Sequence, residues 1–167
     1  MTPSFLTVQR ETQEEFAEIA NLLLNNYAIQ NHESLYRLTD IEFYWYSPKH
    51  QDESTYKRKH VNPNHGDWFF HYSGVDIALK NDEIGGFGGI LIRGIYSLKE
   101  QKKYNGPMVC AMKLFSGINA FSADKMAHII NHTFKKASVL TKPRVNLGQN
   151  AVESGTAQLN YRFLIHL

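Results

Sequence analysis

Several strand-forming segments follow one another along this chain, and the first three are joined by a loop and a turn instead of helices. Residues 38–46, 67–79 and 90–98 are rich in β-branched and aromatic side chains, which is typical of strands. Two shorter segments, 143–147 and 161–167, are predicted to be closing strands. Because strands in this arrangement pair mostly antiparallel, the sequence predicts a largely antiparallel sheet.

Three segments have helical signals, which makes the domain α+β. Residues 12–27 carry apolar side chains at spacings of three and four, and Thr12 with Glu15 forms a capping-box signature. Residues 122–137 have a similar apolar stripe, with Ser122 as the predicted cap. The segment 106–118 opens with Gly-Pro and predicts a short helix.

The glycine cluster 84–89, "IGGFGG", has the composition of a phosphate-binding loop but not its context. A phosphate loop opens a helix and carries a lysine in the turn, whereas these glycines precede a strand. The cluster therefore predicts a turn or a close approach between backbones.

Length and composition limit the remaining classes of protein. A chain of 167 residues, 43% of them hydrophobic, is large enough to bury its own core as one domain spanning 1–167. The single cysteine, Cys110, excludes an internal disulfide and a cysteine-based zinc site. The histidines and acids between 50 and 71 lack the spacing of a helical metal site. No metal site is expected from these patterns.

Charge and hydropathy bear on location and partners. The net charge of +2 permits a nucleic-acid partner but does not require one. No apolar run approaches the roughly 20 residues that a membrane helix needs. The N-terminal residues also lack the basic-then-apolar pattern of a signal peptide. We expect a soluble, cytoplasmic protein without a membrane partner.

Two charged residues lie inside apolar strand segments. Strand alternation places Glu42, in "DIEFYWY", on the same face as Tyr44 and Tyr46. It places Arg93, in "GILIRGI", on a face with apolar side chains. Charges on such faces are usually paired or line a pocket. The pattern leaves open a solvent-facing residue, a structural ion pair and a pocket acid.

Segments in the same order along most of the chain resemble the alkyladenine (3-methyladenine) DNA glycosylase family. "DIEFYW" (40–45) is similar to the family's "ETEAY", and "GGILIRGI" (88–95) is similar to its "VLIRA". "NGPMVCAMKLFSGIN" (105–119), "KPRVNL" and "YRFLI" resemble further segments of that family. The resemblance implies a curved, mostly antiparallel sheet flanked by a few helices, the formyltransferase C-terminal-like fold.

The resemblance also implies a function. The family flips alkylated purines of the 3-methyladenine type out of DNA and excises them by hydrolysis, in base excision repair and without a metal or organic cofactor. It implies that Glu42 activates water, that Tyr44 stacks on the flipped base and that Arg93 contacts phosphate. DNA with a damaged purine is then the expected partner, and the protein is expected to be a monomer.

A second aromatic wall for the base is implied less directly. The family's stacking histidine aligns with Tyr56, or with His60 if the loop slides, and its second stacking tyrosine aligns with Phe70. The family's Thr-x-Arg-Asn signature is missing, and its DNA-wedging tyrosine falls on Ser73. Two alternatives remain: the same fold binding a nucleotide, nucleoside or other small aromatic ligand without DNA repair, and a non-catalytic module in which Glu42 and Arg93 form a structural ion pair.

Overall fold

The structure is a computed structural model, and it describes residues 3–32, 34–55, 62–117, 121 and 126–167. In these residues the helices are α1 (Gln13–Asn26), α2 (Pro107–Leu114) and α3 (Gln149–Glu153). The strands are β1 (Tyr27–Asn31), β2 (Ser34–Tyr46), β3 (Trp68–His71), β4 (Gly74–Asn81), β5 (Gly86–Ser97), β6 (Lys102–Asn105), β7 (His128–Asn131), β8 (Leu140–Lys142) and β9 (Arg162–Leu164).

The strands form one curled antiparallel sheet in the order β3-β4-β5-β2-β1-β7, with β6 on β5 and with β8 and β9 joined to β2. The long strands β2 and β5 pair from Tyr36↔Ser97 to Tyr46↔Phe87 and form its centre. The other edge of β2 is shared, because β1 pairs with its first half and β9 with residues 40–42. The prediction of a single α+β domain with a curved, mostly antiparallel sheet is confirmed.

Helix α1 confirms the helix predicted at 12–27 and shows which face of β2 packs against it. The Thr12 hydroxyl accepts a hydrogen bond from the backbone N–H of Glu15, as a capping residue does. Phe16 then stacks on Phe43 of β2, with ring centroids 5.0 Å apart. Since successive side chains of a strand alternate, Glu42 and its same-face neighbours point away from α1.

The helix predicted at 122–137 is wrong. Residues 118–120 and 122–125, with the predicted cap Ser122, lie outside the described residues, but His128–Asn131 forms β7. That strand pairs antiparallel with β1, from Tyr27↔Asn131 to Gln30↔His128. The apolar spacing suited a helix, yet the open edge of β1 offers backbone partners, and such tertiary pairing overrides weak helical propensity.

The closing strands also differ from the prediction. The second, predicted at 161–167, is confirmed as the shorter strand β9. The first is wrong, because 143–147 is irregular and the strand there is β8, which ends at Lys142. Backbone pairing stops at Arg144, whose side chain enters the protein interior. The next backbone N–H, that of Val145, donates to the Glu42 side chain instead of to a neighbouring strand.

No helix in the described ranges is long and apolar enough to span a membrane.

Candidate ligand-binding pocket

A pocket of about 610 Å³ opens on the face of β2 that points away from α1. Its volume lies within the range of small-molecule sites. Five parts of the chain line it: Tyr44, Leu91 and Arg93 of the central strands; His71, Tyr72, Ser73 and Asp76 of the β3–β4 hairpin; the turn 53–55; Pro107 at the start of α2; and the segment 145–151. Tyr44 and Arg93, which the sequence predicted as site residues, therefore line this pocket. Local sequence patterns did not indicate the residues that form the rest of its wall.

Glu42 lies directly behind the wall of this pocket. Its side chain has no exposed surface, and Oε2 accepts hydrogen bonds from the Tyr44 hydroxyl at 2.8 Å and from Arg93 Nη1 at 3.2 Å. Oε1 accepts the backbone N–H of Val145 at 3.1 Å. All three donors line the pocket, although Glu42 itself does not. The carboxylate is thus one layer beneath the cavity.

Burial raises the pKa of Glu42 above its usual value. The positive charge of Arg93 acts in the opposite direction and favours the ionised form, as do the hydrogen bonds from Tyr44 and Val145. Arg162 adds a more distant positive charge, with its Nε 3.9 Å from Glu42 Oε1. Arg162 itself forms two hydrogen bonds to Asp40, at 3.0 and 2.6 Å.

The register of the sheet explains why two acids lie near each other. Leu91 of β5 pairs with Glu42 of β2 on one side and with Asp76 of β4 on the other. Directly paired residues point to the same face of a sheet. Glu42 and Asp76 therefore flank Leu91 on the face that carries the pocket.

Tyr44 is held on two sides. Its hydroxyl donates to Glu42, and the guanidinium of Arg144 lies 4.7 Å from the centre of its ring. Burial, followed by the nearby charge of Glu42, raises the pKa of Tyr44, so the phenol stays protonated as a hydrogen-bond donor. Because Arg144 covers part of the ring, Tyr44 presents only its remaining surface to a ligand.

Arg144 also binds the turn at 52–55. Arg144 forms two hydrogen bonds to the buried Asp52, at 2.5 and 3.0 Å. The side chain of Asp52 also accepts a hydrogen bond from the backbone N–H of Ser54. Its backbone carbonyl accepts one from the N–H of Thr55. Arg144 thus positions both the Tyr44 ring and the turn that faces the pocket.

The hairpin contributes a buried His–Asp pair. His71 Nε2 lies 3.0 Å from Asp76 Oδ1, and the two side chains are 3% and 2% exposed. The backbone N–H of Ser73 donates to His71 Nδ1 at 3.2 Å. The prediction omitted this pair, although Asp76 shows the same signal as Glu42, a lone carboxylate in an apolar strand segment.

Of the other residues predicted to stack on the base, the structure describes only Phe70. The structure does not bring Phe70 to the pocket: it is 52% exposed and packs edge-on against Phe115, with centroids 4.7 Å apart. Strand alternation accounts for this, since the neighbouring His71 faces the cavity. Tyr56 and His60 lie outside the described residues.

In the part of the chain that the structure describes, no group of three or more histidine, cysteine or acidic side chains could hold a metal ion. Cys110 is buried, and burial raises the pKa of its thiol to about 12, which makes it a poor nucleophile.

No family model matches the chain, and no curated protein and no solved structure matches it.

Proposed function

We propose that the pocket binds a planar, nucleoside-like group and that the site hydrolyses an N-glycosidic bond. In this proposal the protein is a cytoplasmic, monomeric DNA N-glycosylase that excises alkylated purines of the 3-methyladenine type. One observation carries the proposal: all three hydrogen-bond donors to the buried carboxylate of Glu42 line a single pocket.

The chemistry of glycosidic cleavage needs such a carboxylate. Breaking the bond to the base develops positive charge on the sugar, which a nearby anion stabilises. The same anion can orient and deprotonate the attacking water. The raised pKa of Glu42 makes it a stronger base than an exposed carboxylate, while Arg93 favours the ionised form.

Access to the carboxylate depends on Arg93. Its side chain is 13% exposed, in contrast to Glu42, which has no exposed surface. In the proposal, a shift of this guanidinium into the pocket would open Oε2 to water. The Arg93 contact to Glu42 uses Nη1, so the rest of the guanidinium can bind the phosphate beside the target nucleotide by a charge-assisted bond.

Tyr44 supplies a stacking surface for the base. Stacking on an aromatic side chain contributes roughly 1–3 kcal/mol per base. The base has to leave the DNA stack before it can enter a pocket of this size, as in other enzymes that act on a base.

A second candidate is binding of a nucleotide, nucleoside or other small aromatic ligand without hydrolysis. It is favoured by the complete burial of Glu42, whose oxygens already accept three hydrogen bonds. In that case Glu42 fixes Arg93 and Tyr44 in the pocket wall and does not touch the ligand.

A base-release assay on methylated duplex and single-stranded DNA separates the two candidates. We expect the wild type to release purine and the Glu42→Gln variant, which keeps the shape of the side chain but loses its charge, to release almost none. Glu83→Gln, on an exposed turn that does not line the pocket, is the matched control. Absence of release by the wild type would exclude excision of methylated purines from DNA. Calorimetric binding of nucleosides would then decide the second candidate.

A further inference from the structure

We propose that the hydroxyl groups of Ser54 and Thr55 form a subsite of the pocket that donates hydrogen bonds to the ring nitrogens of a planar heterocycle. This inference rests on the proposed function, because it names the class of ring that the pocket takes: a purine or similar nitrogen heterocycle, and not a carbocyclic ring of the same shape. It assigns a role to two side chains that the glycosidic chemistry of Glu42 does not use.

Both hydroxyls are buried in the pocket wall. Thr55 lines the pocket and is 5% exposed, and its hydroxyl has no hydrogen-bond partner among the described residues. The hydroxyl of Ser54, which also lines the pocket, is buried and has none among them either. A buried polar group without a partner costs free energy, and such groups are rare in folded proteins. Two in succession beside an open cavity indicate a place where a polar ligand binds.

Hydrogen bonds within the protein hold the turn that carries these hydroxyls. The Asp52 carboxylate accepts the backbone N–H of Ser54 at 3.0 Å, and the Asp52 carbonyl accepts that of Thr55 at 3.1 Å. The same carboxylate is bound by both terminal nitrogens of Arg144. Because the backbone of the turn is already held in place, ordering it costs little when a ligand binds.

Arg144 also relates the turn to the stacking surface. Its guanidinium carbon lies 4.7 Å from the centre of the Tyr44 ring, while its terminal nitrogens bind Asp52 at the start of the turn. One guanidinium group therefore separates the Tyr44 ring from the turn. A planar ring that stacks on Tyr44 would have the hydroxyl-bearing turn at its edge, which is where a heterocycle presents its hydrogen-bonding atoms.

Ring nitrogens are the groups that match these hydroxyls. Each hydroxyl has one O–H donor, and an unsubstituted ring nitrogen of a purine accepts a hydrogen bond. A carbocyclic ring has no acceptor at its edge, so its binding leaves both hydroxyls buried without partners. Purine riboside and benzimidazole riboside have the same shape and the same sugar. They differ at two ring positions, which are nitrogens in the purine and C–H groups in the benzimidazole.

Calorimetry of both ribosides tests the assignment. We expect wild type to bind purine riboside about tenfold more tightly than benzimidazole riboside, as two hydrogen bonds between neutral groups would give. The double variant Ser54→Ala/Thr55→Val lacks both hydroxyls and should bind the two ribosides with affinities within about twofold of each other. Thr141→Val removes an exposed hydroxyl outside the pocket and should keep the preference of wild type.

The outcomes separate the inference from the proposed function. Equal or tighter binding of benzimidazole riboside by wild type, or a full preference in the folded double variant, would overturn the inference alone. Binding of neither riboside by wild type would overturn both. If the double variant does not fold, Ser54→Ala alone provides the variant test: it should reduce the preference for purine riboside severalfold, and an unchanged preference would contradict the subsite.

Discussion

Arg144 and Asp52 form a doubly hydrogen-bonded ion pair in which neither side chain is exposed to solvent. The pair joins two segments that are 92 residues apart in the sequence. Because Arg144 also lies over the ring of Tyr44, this pair helps to position one wall of the pocket.

Arg144→Met should be strongly destabilising. It leaves the Asp52 carboxylate buried without its partner, which typically lowers the free energy of unfolding by about 3–5 kcal/mol. Urea unfolding measures the change. Arg10→Met breaks an exposed ion pair with Glu18 and should leave stability unchanged. Equal behaviour of the two variants would contradict the anchoring role of Arg144.

Thr55→Val should separate stability from binding. Valine replaces the hydroxyl with a methyl group of similar size, so the variant no longer buries a Thr55 hydroxyl that has no partner among the described residues. We expect the free energy of unfolding to rise by about 1 kcal/mol while nucleoside binding weakens. A fall in stability would indicate that the hydroxyl is satisfied within the protein.

Gly89→Ala should disturb the pocket through Asp76. The added methyl group would clash with the Asp76 carboxylate, and overpacking of this kind costs about 1–3 kcal/mol. Nucleoside binding should fall together with thermal stability. Gly148→Ala is the steric control for stability alone, because a Cβ atom there meets nothing within 4 Å but lies in the pocket wall. A fully stable Gly89→Ala variant that still binds would contradict the predicted clash.

The pH dependence of stability should report the burial of Glu42. Its pKa is raised in the folded state, so the folded protein holds this proton more tightly than the unfolded chain does. The contribution of Glu42 to stability is therefore greatest below its ordinary pKa and is lost as the pH rises through the raised value. Urea unfolding of wild type and Glu42→Gln across this range should show wild type losing stability relative to the variant. A difference that is constant with pH would contradict this.

The sequence predicted the elements whose signals are local. Helix α1 follows from its apolar spacing and from the Thr12 cap, and the alternation in β2 correctly separated Phe43, which packs on α1, from Glu42. The glycine cluster was correctly assigned only in part. Gly85 has a left-handed conformation in a turn, and a Cβ atom at Gly88 would lie 1.9 Å from the backbone oxygen of Tyr44, but residues 86–89 already belong to β5.

The features that the sequence did not predict depend on partners far away in the chain. Strand β7 forms because it pairs with the open edge of β1. No local pattern in the sequence of β7 indicates that this edge is available. The contact of Val145 with Glu42 spans 103 residues and comes from an irregular segment that has no periodic pattern. His71 and Asp76 meet only because a tight hairpin brings β3 onto β4.

The rate of purine release from methylated DNA, measured for wild type and Glu42→Gln under single-turnover conditions, tests the central claim most directly. The buried carboxylate behind the pocket predicts release by wild type and a rate at least about 100-fold lower for the variant, the usual contribution of a general base. Equal rates for the two proteins, or no release by wild type, would contradict it.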